Sequence, residues 1–433
     1  MGSAEYDRLW NSTFIKLCII ELCFQLGKEM VQPIASNAAL ALGATVTLAG
    51  ILAGLSSAIA LALRFVSGRI ISHFPLNKML VVAVVVLGVS SLSFAVVNSI
   101  PVLAVSRVLY GMALVIKSVL NVAICARIVP RDSIGQGVAW LGMANVLCCA
   151  LGPNLAQLIG LNFGYNAAYA FSATMLGIAT AISLTFPALP RDDDEEEAKA
   201  DAPSSEDGQI ADAASVQQEA TAEVAAQPTP PQNRAIAFLK RFIYFDTIPL
   251  AILGLLEGVM FGIVSTLTLT VSELRGLPEM SLYYVVYVIV SFTMRPVMSK
   301  LYDKHGFAKI GLFMCSMMAL SMVSFAFTTN LFMIILDGVL FGLGQGCLWP
   351  CLQAECVRNV PMSKTSMSTN TFLLGVDLGV ASGPMIGGLI LDIAGPTGMY
   401  LMGAFAGLCM TLWTIAYTRI MDRREKALQK ALQ

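Results

Sequence analysis

Long apolar stretches, separated by short polar ones, run along almost the whole chain of 433 residues. About 20 apolar residues in a helix are enough to cross the hydrocarbon core of a bilayer. Six such stretches precede a polar region and six follow it, covering residues 12–34, 44–67, 79–97, 101–123, 136–160, 165–187, 245–271, 281–301, 308–328, 331–353, 366–391 and 398–418. The pattern predicts an all-α membrane protein with twelve transmembrane helices.

Composition supports this prediction and excludes a soluble globular protein. The chain is 56% hydrophobic and 13% charged, whereas soluble proteins are about 25% charged. The first apolar stretch is long enough to span a bilayer, so we expect a retained helix rather than a cleaved signal peptide. The expected location is the cell (inner) membrane, as an integral multi-pass protein.

The second half of the chain repeats the first. Residues 61–170 align without a gap to residues 292–401, and 23 of the 110 aligned pairs are identical. Chance matching in a chain this rich in Leu, Ala, Val and Gly gives roughly half that number or fewer. The repeat predicts two pseudo-symmetric six-helix bundles, an arrangement that places a binding site between repeated halves in many transporters.

Five regions follow from these patterns: a first bundle at 1–187, an acidic linker at 188–233, an interfacial segment at 234–244, a second bundle at 245–418 and a basic tail at 419–433. The linker contains six consecutive acidic residues from Asp192 to Glu197 and is too polar to bury a core. It is predicted to be a solvated tether, with a regulatory contact to the basic loops as the alternative. The basic, apolar segment that follows is typical of an interfacial helix.

The distribution of Lys and Arg predicts the orientation. Basic residues gather in alternate polar gaps, in the linker and in the tail, whereas the opposite side holds only Arg275. Because cytoplasmic loops carry the excess of basic residues, both termini are expected in the cytoplasm.

Charged residues inside the apolar stretches are the candidate functional groups. They are expected to face a cavity or a partner, because a charge facing lipid costs several kcal/mol. In the first stretch, Glu21, Gln25, Lys28 and Gln32 share one helical face. The predicted set for binding solute or protons is Glu21, Gln25, Lys28, Arg107, Lys117, Asn121, Glu257, Asp337 and Asp377.

Charges in this set break the repeat, and we use this as a filter. Glu21, Lys28 and Arg107 correspond to Ile252, Val259 and Gly338 in the second half. Residues that obey the repeat are therefore assigned to architecture, and charged residues that break it to solute or protons. The alternative is that these charges form interhelical ion pairs that only hold the bundles together.

Small residues recur at helical spacing in the eleventh stretch, as Gly375, Gly379, Gly383 and Gly387. Such a stripe lets two helices approach closely, so it is interpreted as packing rather than chemistry.

Metal and enzyme chemistry find no support in the sequence. The ten cysteines lie in apolar stretches without the spacing of a zinc site, and the two histidines lie in loops. No nucleophile triad or phosphate-binding loop is present, which also argues against ATP-driven transport. We expect no cofactor, no metal, no catalytic residue and no enzymatic activity.

Several motifs resemble those of the major facilitator superfamily. The loop after the eighth stretch, with Asp303 and Gly306, is similar to the family's loop signature, of which the first half keeps Gly68 and Arg69. Arg107 with Gly111 matches the helix 4 pattern, whose arginine the family links to proton transfer. The family's Gly-Pro antiporter pattern is partial at Gly152-Pro153 and complete around Gly383-Pro384. Arg295, matched by Arg64 in the repeat, joins these residues as part of the conformational frame.

The resemblance implies a monomeric secondary transporter that moves a small organic solute by alternating access, with protons as the coupling ion and the bilayer as its surroundings. Drug-like efflux and metabolite transport are both open. The candidate carboxylates suit a cation and Lys28, Arg107 and Lys117 suit an anion, so the sequence does not choose the solute's charge. No nucleic-acid partner is expected. The alternative function is a sensor or lipid translocase built on the same fold without coupled solute flux.

Overall fold

The computed structural model describes residues 10–72, 75–130, 133–187, 243–358, 360 and 364–432. Its described elements are helical: α1 Ser12–Ala41, α2 Val46–Ser72, α3 Leu76–Val96, α4 Ile100–Ile128, α5 Ile134–Phe163, α6 Tyr165–Leu184, α7 Ile248–Arg275, α8 Leu282–Phe327, α9 Leu331–Arg358 and α10 Thr365–Leu432. Short 3-10 helices at Phe245–Thr247 and Pro278–Ser281 precede α7 and α8. The linker and residues 234–242 of the predicted interfacial segment lie outside the described residues, as do the side chains of the tail beyond Met421.

One glycine divides each of the two longest helices into two arms, so that the ten described α-helices contain twelve segments, as predicted. Gly306 in α8 has φ 73° and Gly395 in α10 has φ 69°, a left-handed conformation that favours glycine. Each residue marks a sharp break between two helical arms. The arms correspond to the predicted eighth and ninth stretches in α8, and to the eleventh and twelfth in α10.

Ten portions of the described helices are long and apolar enough to cross a membrane. One of them, Met367–Met421, runs through the break at Gly395 and contains two predicted stretches. α1 is absent from these portions because Lys16, Glu21, Lys28 and Glu29 lower its apolar character. A helix with this many charges needs protein or water around them.

The chain forms two compact units. Unit 1 comprises Met1–Val31 and Ile59–Gln232, and unit 2 comprises Gln32–Ala58 and Asn233–Gln433. α1 and α2 therefore contribute residues to both units. The domain boundaries drawn from the sequence remain predictions, and so does the cytoplasmic placement of the termini.

The duplication is visible as equivalent contacts. In unit 1, Phe94 packs on Tyr169 with ring centroids 4.6 Å apart, and the matching residues of unit 2, Phe325 and Tyr400, stack at 5.2 Å. The left-handed Gly395 also has its counterpart in Gly164, with φ 86° between α5 and α6. These positions, identical in the repeat, hold equivalent helices together.

Glycine stripes in unit 2 lie where helices approach most closely. Gly375, Gly379 and Gly383 of α10 face the backbone of α7, leaving no room for a Cβ atom. Gly338, Gly342 and Gly346 of α9 face α8, where an added Cβ would meet the side chains of Val286, Val290 and Ser291 first. Close backbone approach is what small residues permit between membrane helices, so the packing interpretation of these stripes agrees with the contacts.

The end of α1 and the start of α2 are fastened within unit 2 by polar contacts. Asn37 donates from Nδ2 to Glu273 Oε1 at 2.6 Å, and Thr47 donates from Oγ1 to Asp392 Oδ2 at 2.8 Å. Gly50 of α2 lies against Gly388 of α10, where an added Cβ would meet backbone. A hydrogen bond thus joins the end of α1 to α7, and a hydrogen bond with close backbone packing joins the start of α2 to α10.

Candidate functional site

A buried polar network occupies the interior of unit 1, between α1 and α4. Lys117 Nζ lies 2.5 Å from Glu21 Oε2, and both side chains are almost fully buried. Gln25 Nε2 and Asn121 Nδ2 donate to Glu21 Oε1 at 2.6 and 3.0 Å. Lys117 also donates to Asn121. Both oxygens of Glu21 are therefore occupied.

The spacing of these residues explains why they meet. Glu21 and Gln25 are four residues apart on α1, as are Lys117 and Asn121 on α4, and side chains at that spacing share a helix face. The Phe24 ring lies 5.3 Å from Lys117 Nζ, within the range of a cation–π contact. Each buried charge thus has an opposite charge and further hydrogen bonds, which offset its desolvation.

A second ion pair lies farther along α1 and is more accessible. Lys28 Nζ is 2.7 Å from Glu29 Oε1, and the side chains are 19% and 18% exposed. Lys28 also donates to Asn145 Oδ1 of α5 at 3.4 Å. Gly152 of α5 faces Glu29, and a Cβ there would lie 2.7 Å from the Glu29 Cβ. The repeated Gly-Pro motif therefore brings α5 against the charged part of α1.

Arg107 of α4 is linked to this part of α1 through Tyr110. Its side chain is fully buried, and its guanidinium carbon is 4.4 Å from the centroid of the Tyr110 ring one turn later on α4. The Tyr110 hydroxyl donates to the main-chain oxygen of Lys28 at 3.2 Å. Arg107 and Tyr110 thus connect α4 to α1 where Lys28 is held.

Unit 2 buries a carboxyl group in very different surroundings. Glu257 of α7 is fully buried, and neither of its oxygens makes a hydrogen bond of ordinary geometry to the described residues. Gln345 of α9 is the polar side chain that interacts with it. No ion pair to Glu257 exists within the described ranges, so this carboxyl group lacks the compensation that Glu21 receives.

Asp337 and Asp377 lie in other settings. Asp337 accepts a hydrogen bond from Thr328 at 2.5 Å, close to where Arg275 donates to the Phe325 and Ala326 oxygens at the end of α8. Asp377 is half-buried on α10. Within unit 2, hydrogen bonds and ion pairs between described residues do not join Asp337 and Glu257 into one cluster.

The predicted conformational residues serve packing and backbone bonding where they are described. Gly383 faces Val259 of α7, and Arg295 Nε donates to the Gly346 oxygen at 3.0 Å. Pro153 and Pro384 lie inside α5 and α10. The surroundings of Gly68 and the side chains of Arg69 and Asp303 fall outside the described part of the chain, so the proposed loop latch stays a prediction.

The predicted set leaves out polar residues that the structure shows to be paired or buried inside the two units. Glu29 and Asn145 complete the surroundings of Lys28 in unit 1. In unit 2, Glu355 is buried and accepts hydrogen bonds from Tyr302 at 2.7 Å and Tyr417 at 3.3 Å. A signal existed for Glu355, since its repeat counterpart is the apolar Ile124.

Metal ligation is not suggested by this geometry. Among residues whose positions are described, no group of three or more His, Cys, Asp or Glu side chains could hold an ion.

Comparison with known proteins identifies the family. The model of the Major Facilitator Superfamily matches residues 17–370 and 314–432. The chain belongs to the major facilitator superfamily. The fold inferred from the sequence, an all-α membrane protein of two six-helix bundles, is confirmed by solved structures of transporters.

The individual similarities are distant. The tetracycline resistance protein, class H, of Pasteurella multocida is 25% identical over 180 residues, which cover 40% of this chain and 44% of that protein. A mutant form of the nucleoside transporter NupG has a TM-score of 0.71 at 13% identity, covering 94% of this chain and 99% of the other. The peptide transporter POT in complex with sulfate gives 0.71 at 12% identity, covering 97% and 98%. At these identities the structural likeness establishes the fold.

Proposed function

We propose that this protein is a proton-coupled secondary transporter that moves a small organic solute across the bilayer by alternating access. The observation that carries the proposal is the contrast between the two units. Unit 1 presents partly exposed charged and amide side chains around Lys28, suited to a polar solute. Unit 2 buries the carboxyl group of Glu257 without a cationic neighbour among the described residues.

The surroundings of Glu257 favour a role with protons. An ionised carboxylate removed from water without a partner is strongly destabilising, and taking up a proton is the simplest way to remove the charge. A movement of α7 or α9 that admits water would let Glu257 release that proton. Protonation would then favour one conformation over the other, which is what coupling requires.

The names of similar proteins support a small organic solute as cargo. One relative is named for resistance to tetracycline, and the structural neighbours are named as transporters of nucleosides and peptides. Drug-like efflux and metabolite uptake use the same alternating-access cycle in opposite directions. The direction is therefore left to measurement.

Reconstituted liposomes test the coupling directly. Vesicles containing the protein, with a pH gradient across the membrane, are exposed to tetracycline, uridine or dialanine, while internal pH and solute content are followed together. We expect at least one solute to move with protons in the wild type. Glu257→Gln keeps the shape but cannot release a proton, so solute movement should lose its dependence on the pH gradient.

A matched variant controls for loss of a carboxylate elsewhere. Glu279 is exposed in the 3-10 helix that precedes α8, so Glu279→Gln should retain wild-type coupling. Normal pH-dependent transport by Glu257→Gln would contradict the role of Glu257. Absence of flux for every solute, in protein that circular dichroism shows to be folded, would contradict the proposed function for these solute classes.

A further inference from the structure

The two ion pairs of unit 1 differ in how completely they are satisfied. Lys117 and Glu21 are 3% and 1% exposed, and both oxygens of Glu21 accept hydrogen bonds. Lys28 and Glu29 are exposed several times more. Among the described residues, Lys28 also has a long contact to Asn145 at 3.4 Å, and Glu29 interacts with the Cys149 thiol. The charged groups of the first pair are buried and satisfied by each other and by neighbouring amides. The charged groups of the second pair are accessible enough to bind another partner.

The geometry of the second pair is unusual for a structural ion pair. Lys28 and Glu29 are adjacent on α1, and adjacent residues of a helix diverge by about 100° around its axis, so their side chains do not naturally face each other. Interhelical pairs such as Glu21 with Lys117 fasten two elements, but a bond between neighbours fastens none. The contact neutralises two accessible charges and adds no connection between helices.

We infer that Lys28 and Glu29 bind the head group of a zwitterionic solute, which replaces their contact with each other; this inference rests on the proposed transport function. The solute's carboxylate would bind the Lys28 ammonium group, and its ammonium group would bind the Glu29 carboxylate. A solute with only one charge would leave one residue of the pair without its counterion, which is costly in a partly buried site. A zwitterion compensates both.

Neighbouring amides complete the site. The Gln25 side-chain oxygen is buried and has no hydrogen-bond partner within the described residues, and Gln25 lies one turn before Lys28 on α1. This oxygen can accept from an ammonium group. The Asn145 amide nitrogen can donate to a carboxylate while its oxygen faces Lys28.

An apolar strip on α1 suggests the rest of the solute. Leu22 and Ile15 are exposed and lie seven and fourteen residues before Glu29, on nearly the same line of the helix. The adjoining part of α5 is close, since Cys148 donates from its thiol to the Leu22 oxygen at 3.5 Å. An apolar side group on the zwitterion could therefore lie along this strip.

Matched probes test the charge requirement without transport. Purified protein in detergent is titrated with a zwitterion, the amine that lacks its carboxylate and the acid that lacks its ammonium group. The first set of three is L-phenylalanine, phenethylamine and 3-phenylpropionate. Two further sets are built in the same way on leucine and on glycylphenylalanine. The thermal unfolding midpoint is measured at each concentration. We expect a zwitterion from at least one set to bind at least tenfold more tightly than the amine and the acid of that set.

Single substitutions should separate the two contacts. Lys28→Gln should weaken binding of the zwitterion at least tenfold but keep the weak binding of the amine. Glu29→Gln should weaken binding of the zwitterion as much but keep the weak binding of the acid. Lys16→Gln removes the same charge from a half-buried position of α1, twelve residues before Lys28, and should bind as the wild type does. Should either single variant unfold, K28E/E29K, which keeps one charge of each sign, should still prefer the zwitterion.

The outcomes distinguish this inference from the proposed function. Binding by no zwitterion, or equal binding of all three members of every set, would overturn the two-point site. Proton-driven flux of an uncharged solute such as uridine would then leave the transporter proposal standing. Zwitterion binding without any flux in liposomes would support the site and contradict transport.

Discussion

Arg295 shows how one side chain can compensate for a proline. Pro350 lies within α9 and has no N–H, so the oxygen of Gly346, four residues earlier, lacks its helical donor. Arg295 Nε of α8 supplies that donor at 3.0 Å. We expect Arg295→Ala to reduce the free energy of unfolding by about 1–2 kcal/mol, the usual cost of leaving an acceptor unsatisfied, measured by denaturant or thermal unfolding in detergent.

A double-mutant cycle with Pro350 identifies the cause. Pro350→Ala restores a main-chain N–H that can bond to the Gly346 oxygen within α9. In that background the loss from Arg295→Ala should fall to a few tenths of a kcal/mol, because the acceptor is already satisfied. An equal loss in both backgrounds would mean that Arg295 stabilises the unit by some other contact.

At the residue scale, the sequence predicted which charges lie inside the helices but not how they pair. The helical spacing of Glu21, Gln25 and Lys28 was visible in the sequence, as was their failure to follow the repeat. That Lys117 pairs with Glu21 depends on the packing of α4 against α1, which spacing along one helix cannot reveal. Glu29 was not included in the predicted set, and it lies about 100° around the helix from Lys28, off the predicted polar face.

Between helices, the glycine stripe of α10 sets how close α7 can come. A Cβ on Gly379 would meet the backbone of Leu255 and Gly258. Gly379→Leu should therefore push α10 from α7 and lower the unfolding midpoint by several degrees. Gly177 of α6 has open space around it, so Gly177→Leu should leave the midpoint nearly unchanged; equal effects of the two substitutions would indicate a general loss from replacing glycine.

The positions of the helices were the most predictable feature of this protein. A run of about 20 apolar residues has few alternatives to a spanning helix, and the helices from α1 to α7 begin and end near the predicted stretches. Their exact ends were less visible: α1 continues to Ala41, beyond the predicted end at residue 34, through Pro33. The breaks within α8 and α10 lie at Gly306 and Gly395, inside the predicted gaps at 302–307 and 392–397, so the apolar pattern predicted their positions but not the left-handed backbone that makes them.

At the scale of the whole molecule, we propose that duplication supplies the frame and that charged residues which break the repeat supply the chemistry. Repeated residues such as Phe94 with Tyr169 and Phe325 with Tyr400 make equivalent contacts in both units. The polar network of unit 1 has no such equivalent, because the counterparts of Glu21 and Lys117 are Ile252 and Leu348. The two units thus share a frame but hold different side chains at equivalent positions, as the proposed proton-coupled transporter would require.

The contact of α2 with α10 in unit 2 is the natural place to test movement. Thr47 bonds to Asp392 at 2.8 Å, and Gly50 lies against Gly388, so this contact has few side chains to disengage. If it opens during each cycle, a disulfide in the variant T47C/D392C should stop solute flux in liposomes, while leaving solute binding in detergent intact. Flux should return when dithiothreitol reduces the bond.

The controls are each single cysteine variant and the oxidised wild type, which retains the ten native cysteines; all of them should transport normally. Undiminished flux in protein whose cross-link is verified by mass spectrometry would show that α2 and α10 stay together throughout transport.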